Sequence, residues 1–147
     1  MIRSNIWMRF LALGIIISLL LSNISCRKEW VQFAEFHFVN KTNHVITYNN
    51  PLGKYNVAAQ SSTIVKETQD AGGEIVTAEG YRRPFIESRG SIILKFDQDK
   101  CIIDHPLDSP NSIINLKNYV AEKIGKRTYK FTYTFTEADY NRAVTCP

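Results

Sequence analysis

The chain predicts an all-β protein, an antiparallel β-sandwich preceded by a short hydrophobic signal helix, and three observations carry that expectation. Residues 129–135 alternate without a break, with Tyr129, Phe131, Tyr133 and Phe135 on one face and Lys130, Thr132 and Thr134 on the other. That is the period of a strand with one side buried. Shorter runs of the same kind recur every 8 to 12 residues or so, separated by turn residues. Past the hydrophobic run near the start, only one short turn near the end reads as helix.

The first element is that hydrophobic run. Arg3 and Arg9 precede an uncharged stretch at residues 10–21, followed by Ser22, Asn23, Ile24, Ser25 and Cys26. Twelve residues of helix rise about 18 Å, against a hydrocarbon core of about 30 Å, so the stretch is short for a membrane span. A basic flank, a short apolar run and small residues before a cysteine have the layout of an export signal. Residues 1–25 are therefore expected to be a signal peptide, 26–30 a tether, and 31–147 a single β-domain. The alternatives are plain secretion with cleavage after Ser25 and an uncleaved span. Without the signal, 122 of the 147 residues remain, enough for one modest core.

The strands follow in order. Phe36 and Phe38 alternate with Glu35 and His37 in residues 33–39; residues 40–43 are turn chemistry; residues 45–48 resume the strand pattern. Asn49, Asn50, Pro51, Leu52 and Gly53 break it. Further runs lie at 55–58, 62–68, 74–78 and 91–96, and residues 97–100 form a hairpin turn into a run that starts at Cys101. Residues 119–124 pair with 129–135 across Gly125, Lys126 and Arg127 as an antiparallel hairpin. Thr136, three positions before Asp139, starts a helical turn at Glu137–Arg142. An immunoglobulin-like arrangement is the first expectation and a lipocalin-like closed β-barrel the second. Trp30, the one tryptophan after the signal, is placed in the tether, so an antibody-type cysteine and tryptophan core is excluded.

Composition narrows function by exclusion. Arg3 and Arg9 leave with the signal, so 16 of the 18 basic residues face 14 acidic ones, and the basic residues are scattered. Nucleic acid is not an expected partner. No Gly-x-Ser-x-Gly elbow, phosphate-binding glycine loop or His-Glu-x-x-His helix is present, so neither an enzyme nor a cofactor is expected. His37, His44 and His105 are sparse and read as surface histidines rather than metal ligands. Asp97, Asp99, Asp104 and Asp108 crowd one stretch, but Cys101 and Ile102 stand where an EF-hand needs an oxygen ligand and a glycine. A solvated hairpin tip explains them. Cys101 and Cys146 are an even pair in an exported chain and invite a disulfide; otherwise Cys101 is a buried free thiol and Cys146 lies in the tail. Tyr81, Arg82, Arg83 and Phe85 combine aromatic and guanidinium groups in a segment without strand alternation. They are the candidate partner-binding loop, the alternative being that the aromatics plug the sandwich and the arginines face water.

The residues around Cys26 resemble the signal of bacterial lipoproteins, with a relaxed lipobox in which Ser25 precedes the cysteine and Asn23 takes the place where leucine is usual. Residues 111–143 resemble the closing hairpin and helical turn of small uncharacterised bacterial lipoproteins, a family that brings no assigned activity. The resemblance implies lipidation at Cys26, with acyl chains such as palmitate holding the domain to a membrane without a spanning helix. With Arg27 rather than aspartate next to the cysteine, it implies the outer membrane, on either its periplasmic or its surface face. The expected function is a non-enzymatic binding module for an envelope protein or glycan. The alternatives are an accessory or inhibitory lipoprotein of an envelope complex, or an enzyme with an unrecognised site.

Overall fold

The computed structural model describes residues 30–50, 53–73, 75, 77–81, 92–104 and 111–147. Nine strands are described: β1 (Trp30–Asn40), β2 (Ile46–Asn50), β3 (Gly53–Val57), β4 (Ser61–Ala71), β5 (Ile92–Phe96), β6 (Lys100–Asp104), β7 (Val120–Gly125), β8 (Thr128–Phe135) and β9 (Val144–Thr145). One helix, α1 (Glu137–Arg142), precedes β9. The strands form a four-stranded sheet in the order β4-β1-β8-β7 and a five-stranded sheet in the order β3-β2-β5-β6-β9. The chain passes repeatedly from one sheet to the other, and one core lies between them.

Alternation in the sequence sets that core. Along β8 the burial alternates strictly, with Tyr129, Phe131, Tyr133 and Phe135 buried. Along β1 the even-numbered residues from Gln32 to Asn40 are buried. These two inner faces meet because β1 and β8 are parallel neighbours, with Phe36 opposite Phe131. The Phe36 and Phe131 rings stack at 5.2 Å, and Phe38 reaches across to Tyr48 of β2 at 5.4 Å. Aromatic pairs at these separations add about 0.5–1.5 kcal/mol beyond the area they bury.

The outer face of the four-stranded sheet carries a row of alternating charge. Register places Lys66 and Lys130 on either side of Glu35, and Glu122 beyond Lys130. Lys66 reaches Glu35 at 2.9 Å and Lys130 reaches Glu122 at 3.2 Å. Exposed pairs of this kind stabilise little, but like charges directly opposite would disfavour a slipped register. The Glu35 carboxyl is held below its ordinary range by the hydrogen bond from Lys66 and then by His37.

Three expectations need correction. The closed barrel does not form: among the described residues β4 and β7 end one sheet, and β3 and β9 end the other. A barrel has no such edges, and here β7 guards its edge with Glu122, Lys123 and a bulge between Lys123 and Gly125. Of residues 74–78, the described ones, 75, 77 and 78, are not in a strand; Ala78–Gly80 is a single 3-10 turn with Ile75 packed against the core. Gly80 permits the fold-back, since a Cβ there would stand 2.9 Å from Ile75 Cγ2. Trp30, assigned to the tether by the sequence, is the first residue of β1.

One core position breaks the apolar pattern. Gln32 is fully buried, and among the described residues neither oxygen nor nitrogen of its carboxamide has a hydrogen-bond partner. Buried polar groups without partners each cost about 1–3 kcal/mol, whereas an apolar group of the same shape carries no such penalty. Gln32→Met is therefore expected to raise the unfolding free energy by about 1–3 kcal/mol in urea titration; an unchanged or lower midpoint would show that the amide is satisfied in solution.

Candidate functional site

The sandwich has two poles, set by the ends of β1. At the Asn40 end, where β8 also finishes, the chain supplies the loop after β1, the β5–β6 turn, α1 and the segment that leads into β7. Asn40 is the hub of this pole. Its Nδ2 donates to the carbonyls of His44 at 2.7 Å and Ala58 at 2.9 Å, and its Oδ1 accepts from Thr42 N at 2.9 Å and Thr42 Oγ1 at 2.7 Å. Asn40 and Thr42 are buried, so a polar network replaces strand pairing where the strand ends.

That hub aims His44 at the β5–β6 turn. His44 Nδ1 and Asp97 Oδ2 are 2.5 Å apart, and Asp97 Oδ1 accepts from Val45 N at 2.7 Å. Asp97 and Gln98 both have positive φ, 49° and 77°, and an aspartate tolerates that conformation when its carboxylate is engaged locally. The His44 hydrogen bond, and after it the Val45 amide, hold the Asp97 carboxyl below its ordinary range. On its other side the His44 ring lies flat on Tyr140 of α1, with centroids 3.6 Å apart, and Lys100 Nζ sits 4.1 Å from the same tyrosine ring. Glu137 accepts from Asn43 N at 3.0 Å. Loop, turn and helix are thus clasped together around one histidine. The pair acts as a clasp.

Helix α1 is fixed from both ends. The Asp139 carboxylate accepts from Thr136 N at 2.8 Å and from Thr136 Oγ1 at 3.1 Å, which closes the first turn. Arg142 donates to Asp139 Oδ1 and, through Nη2, to the Asn111 carbonyl at 3.0 Å. Tyr133 Oη donates to the same carbonyl at 2.7 Å. Beside these groups opens a cleft of about 410 Å³, lined by Asn111, Asn118, Thr134, Thr136, Asp139 and Arg142 among others. Amides, hydroxyls, the Asp139 carboxylate and the Arg142 guanidinium share its lining with Ala138 and Tyr133, a mixed surface that offers both hydrogen-bonding and apolar contact.

The structure joins Cys101 to Cys146, with their Cα atoms 4.9 Å apart. Cys101 is buried and is the register partner of Val144 of β9, and Cys146 N donates to the Asp99 carbonyl at 3.0 Å. The bridge therefore ties the end of the chain to the turn that holds Asp97.

At the opposite pole lies Tyr81. It is buried, in edge contact with Tyr129 and Phe131, and its hydroxyl donates to the Phe33 carbonyl at 2.6 Å. Burial, with Tyr129 adjacent, pushes its hydroxyl up to about 12. Tyr81 thus plugs the sandwich instead of presenting its ring to a partner. Arg82, Arg83 and Phe85, like Cys26, His105 and Asp108, lie outside the described residues. Among the described residues no group of three or more histidine, cysteine or acidic side chains could hold a metal ion, and no helix is long and apolar enough to cross a membrane. His37 pairs with Glu35 on the outer sheet face at 3.3 Å.

No family model, curated protein or solved structure matches this chain.

Two outcomes follow from this geometry. In the chain-entropy model a bridge across a separation of 45 residues contributes about 4 kcal/mol. The Cys101→Ser, Cys146→Ser variant is expected to lose about that much unfolding free energy in denaturant titration, and the wild type to shift on gels run with and without reductant; equal migration would deny the bridge. Asp97 has its folded pKa depressed, so its contribution is present above the unfolded value and lost as pH falls through the folded one. The gap in melting temperature between wild type and Asp97→Asn should therefore be largest near neutrality and shrink as pH falls below the ordinary aspartate value toward the depressed folded one. A gap that is constant with pH would mean that the carboxylate charge plays no part.

Proposed function

We propose that this chain is a lipid-anchored protein of the bacterial cell envelope, held at Cys26 to the outer membrane, whose β-domain is a non-enzymatic binding module. What supports the binding role is the polar cleft at the Asn40 pole, about 410 Å³ in volume and walled by a helix and a strand end that the clasp and the disulfide hold in place. A pre-formed cleft on a rigid frame spends little binding energy on ordering itself. Its size suits one or two sugar rings or a polar peptide side chain, so an envelope glycan or protein is the ligand of this reading. The immunoglobulin-like arrangement belongs to the same proposal; sheets of four and five strands, with connections that cross between them, support it. What supports the anchor is the sequence from Arg3 to Cys26, with Ser25 before the cysteine.

The test combines label and capture. Wild-type cells fed radiolabelled palmitate should yield a labelled chain, and Cys26→Ser an unlabelled one. A photo-cross-linker at Thr134, in the cleft, should capture an envelope protein or glycan that the same group at exposed Lys54 of β3 does not. Absence of label from the wild type would remove the anchor; equal capture from both positions would remove the cleft as the binding site.

A further inference from the structure

β1 connects the two poles, and its first residue stands four positions after Cys26. Four Cα–Cα steps reach at most about 14 Å. The 11 residues of β1 carry the chain on by about 36 Å, so the Asn40 pole is at least about 20 Å from the cysteine while Trp30 is within about 14 Å of it. On the reading of Cys26 as the lipid attachment site, we propose that the Trp30 pole is a membrane-docking face that rests on the phosphate and carbonyl layer of a phospholipid surface.

The residues at this pole are those that such a layer accommodates. Trp30 is half-buried, with the Arg127 guanidinium 4.4 Å from its ring centroid. Lys126 is exposed at the tip of the β7–β8 turn, and Phe33, 45% exposed, lies on the outer face of β1 nearby. An indole has an apolar body and a polar N–H, which places it at the level of lipid carbonyls. Arginine and lysine carry long apolar stems under charged heads that donate to phosphodiester oxygens. The turn that presents them is held: the Arg127 carbonyl accepts from Phe33 N at 2.8 Å and from Tyr81 Oη at 3.3 Å. Among the described residues of this pole, Asp70, opposite Val31, and Glu79, in the turn before Tyr81, match Lys126 and Arg127 in formal charge. The occupant is accordingly the phospholipid interface in general, zwitterionic lipid included. Docked this way, the domain points its cleft away from the bilayer.

Trp30 is its own reporter, because Trp7 belongs to residues 1–25 and only Trp30 follows them. The purified chain is reconstituted in vesicles of phosphatidylcholine brominated near the top of the acyl chain, with mass measurement of its amino terminus and flotation as companions. The expected result is an acylated chain that floats with the vesicles, with blue-shifted emission and about half of its intensity lost to the bromines. An acylated chain that floats but keeps its full emission overturns the docking face while leaving the anchor intact. A chain that bears no acyl mass and stays off the vesicles overturns the anchor, and the docking face with it.

Discussion

The parallel contact between β1 and β8 is the constraint on which the rest of the structure depends. Phe36 on Phe131 and Phe38 near Phe135 bring together the first and the last long strands, which are separated by almost the whole described chain. A parallel pair cannot be closed by a tight turn; it needs a long connection, and here β2 to β7, strands of both sheets, lie within it. Once β1 and β8 lie side by side, both must end at the same pole. Asn40 and Phe135 are register partners there, and the loop after one strand meets the helix after the other. The clasp of His44, Asp97 and Tyr140 and the cleft beside α1 are consequences of that meeting.

Local chemistry was legible in the sequence wherever a single stretch contains its own instruction. The strict alternation of β8 requires one buried face whatever it packs against. Thr136 and Asp139 specify the start of α1 through contacts three residues apart. Residues 97–99 make a turn because an aspartate can accept positive φ when its carboxylate has local donors. Partner choice was not legible. Strand periodicity says that Phe36 and Phe38 are buried and says nothing of Phe131, so the parallel pairing has no signature in either segment. His44, Asp97 and Tyr140 are separated by roughly 50 residues at each step, and each alone reads as an ordinary turn or surface group.

Tyr81 shows why an aromatic beside two arginines is an ambiguous signal. The residue types that anchor interfaces also fill the ends of sandwiches, and only the tertiary setting decides between the two uses. Here the Tyr81 hydroxyl satisfies the Phe33 carbonyl at the end of the core, and the ring fills the gap against Tyr129 and Phe131. Gln32 is the reverse case. It lies in phase with Phe36 and Phe38 on the inner face of β1, yet its chemistry argues for the outside, and the structure keeps the face and leaves the amide without a partner among the described residues. Register outweighs one residue's preference because a slip of one position would turn every other side chain of β1 over as well.

The two poles divide the work of the molecule. One pole has an indole, a guanidinium and a buried tyrosine plug around the start of β1, four positions from Cys26. The other has polar clamps at every chain end that reaches it: Asn40 for β1, Asp97 for the β5–β6 turn, Asp139 for α1 and a disulfide for the last strand. Rigidity is concentrated at the pole with the cleft. The cleft itself is lined by two stretches of chain, 111–118 and 133–142, and Tyr133 and Arg142 of the second both donate to the Asn111 carbonyl of the first, which fixes its two walls to each other.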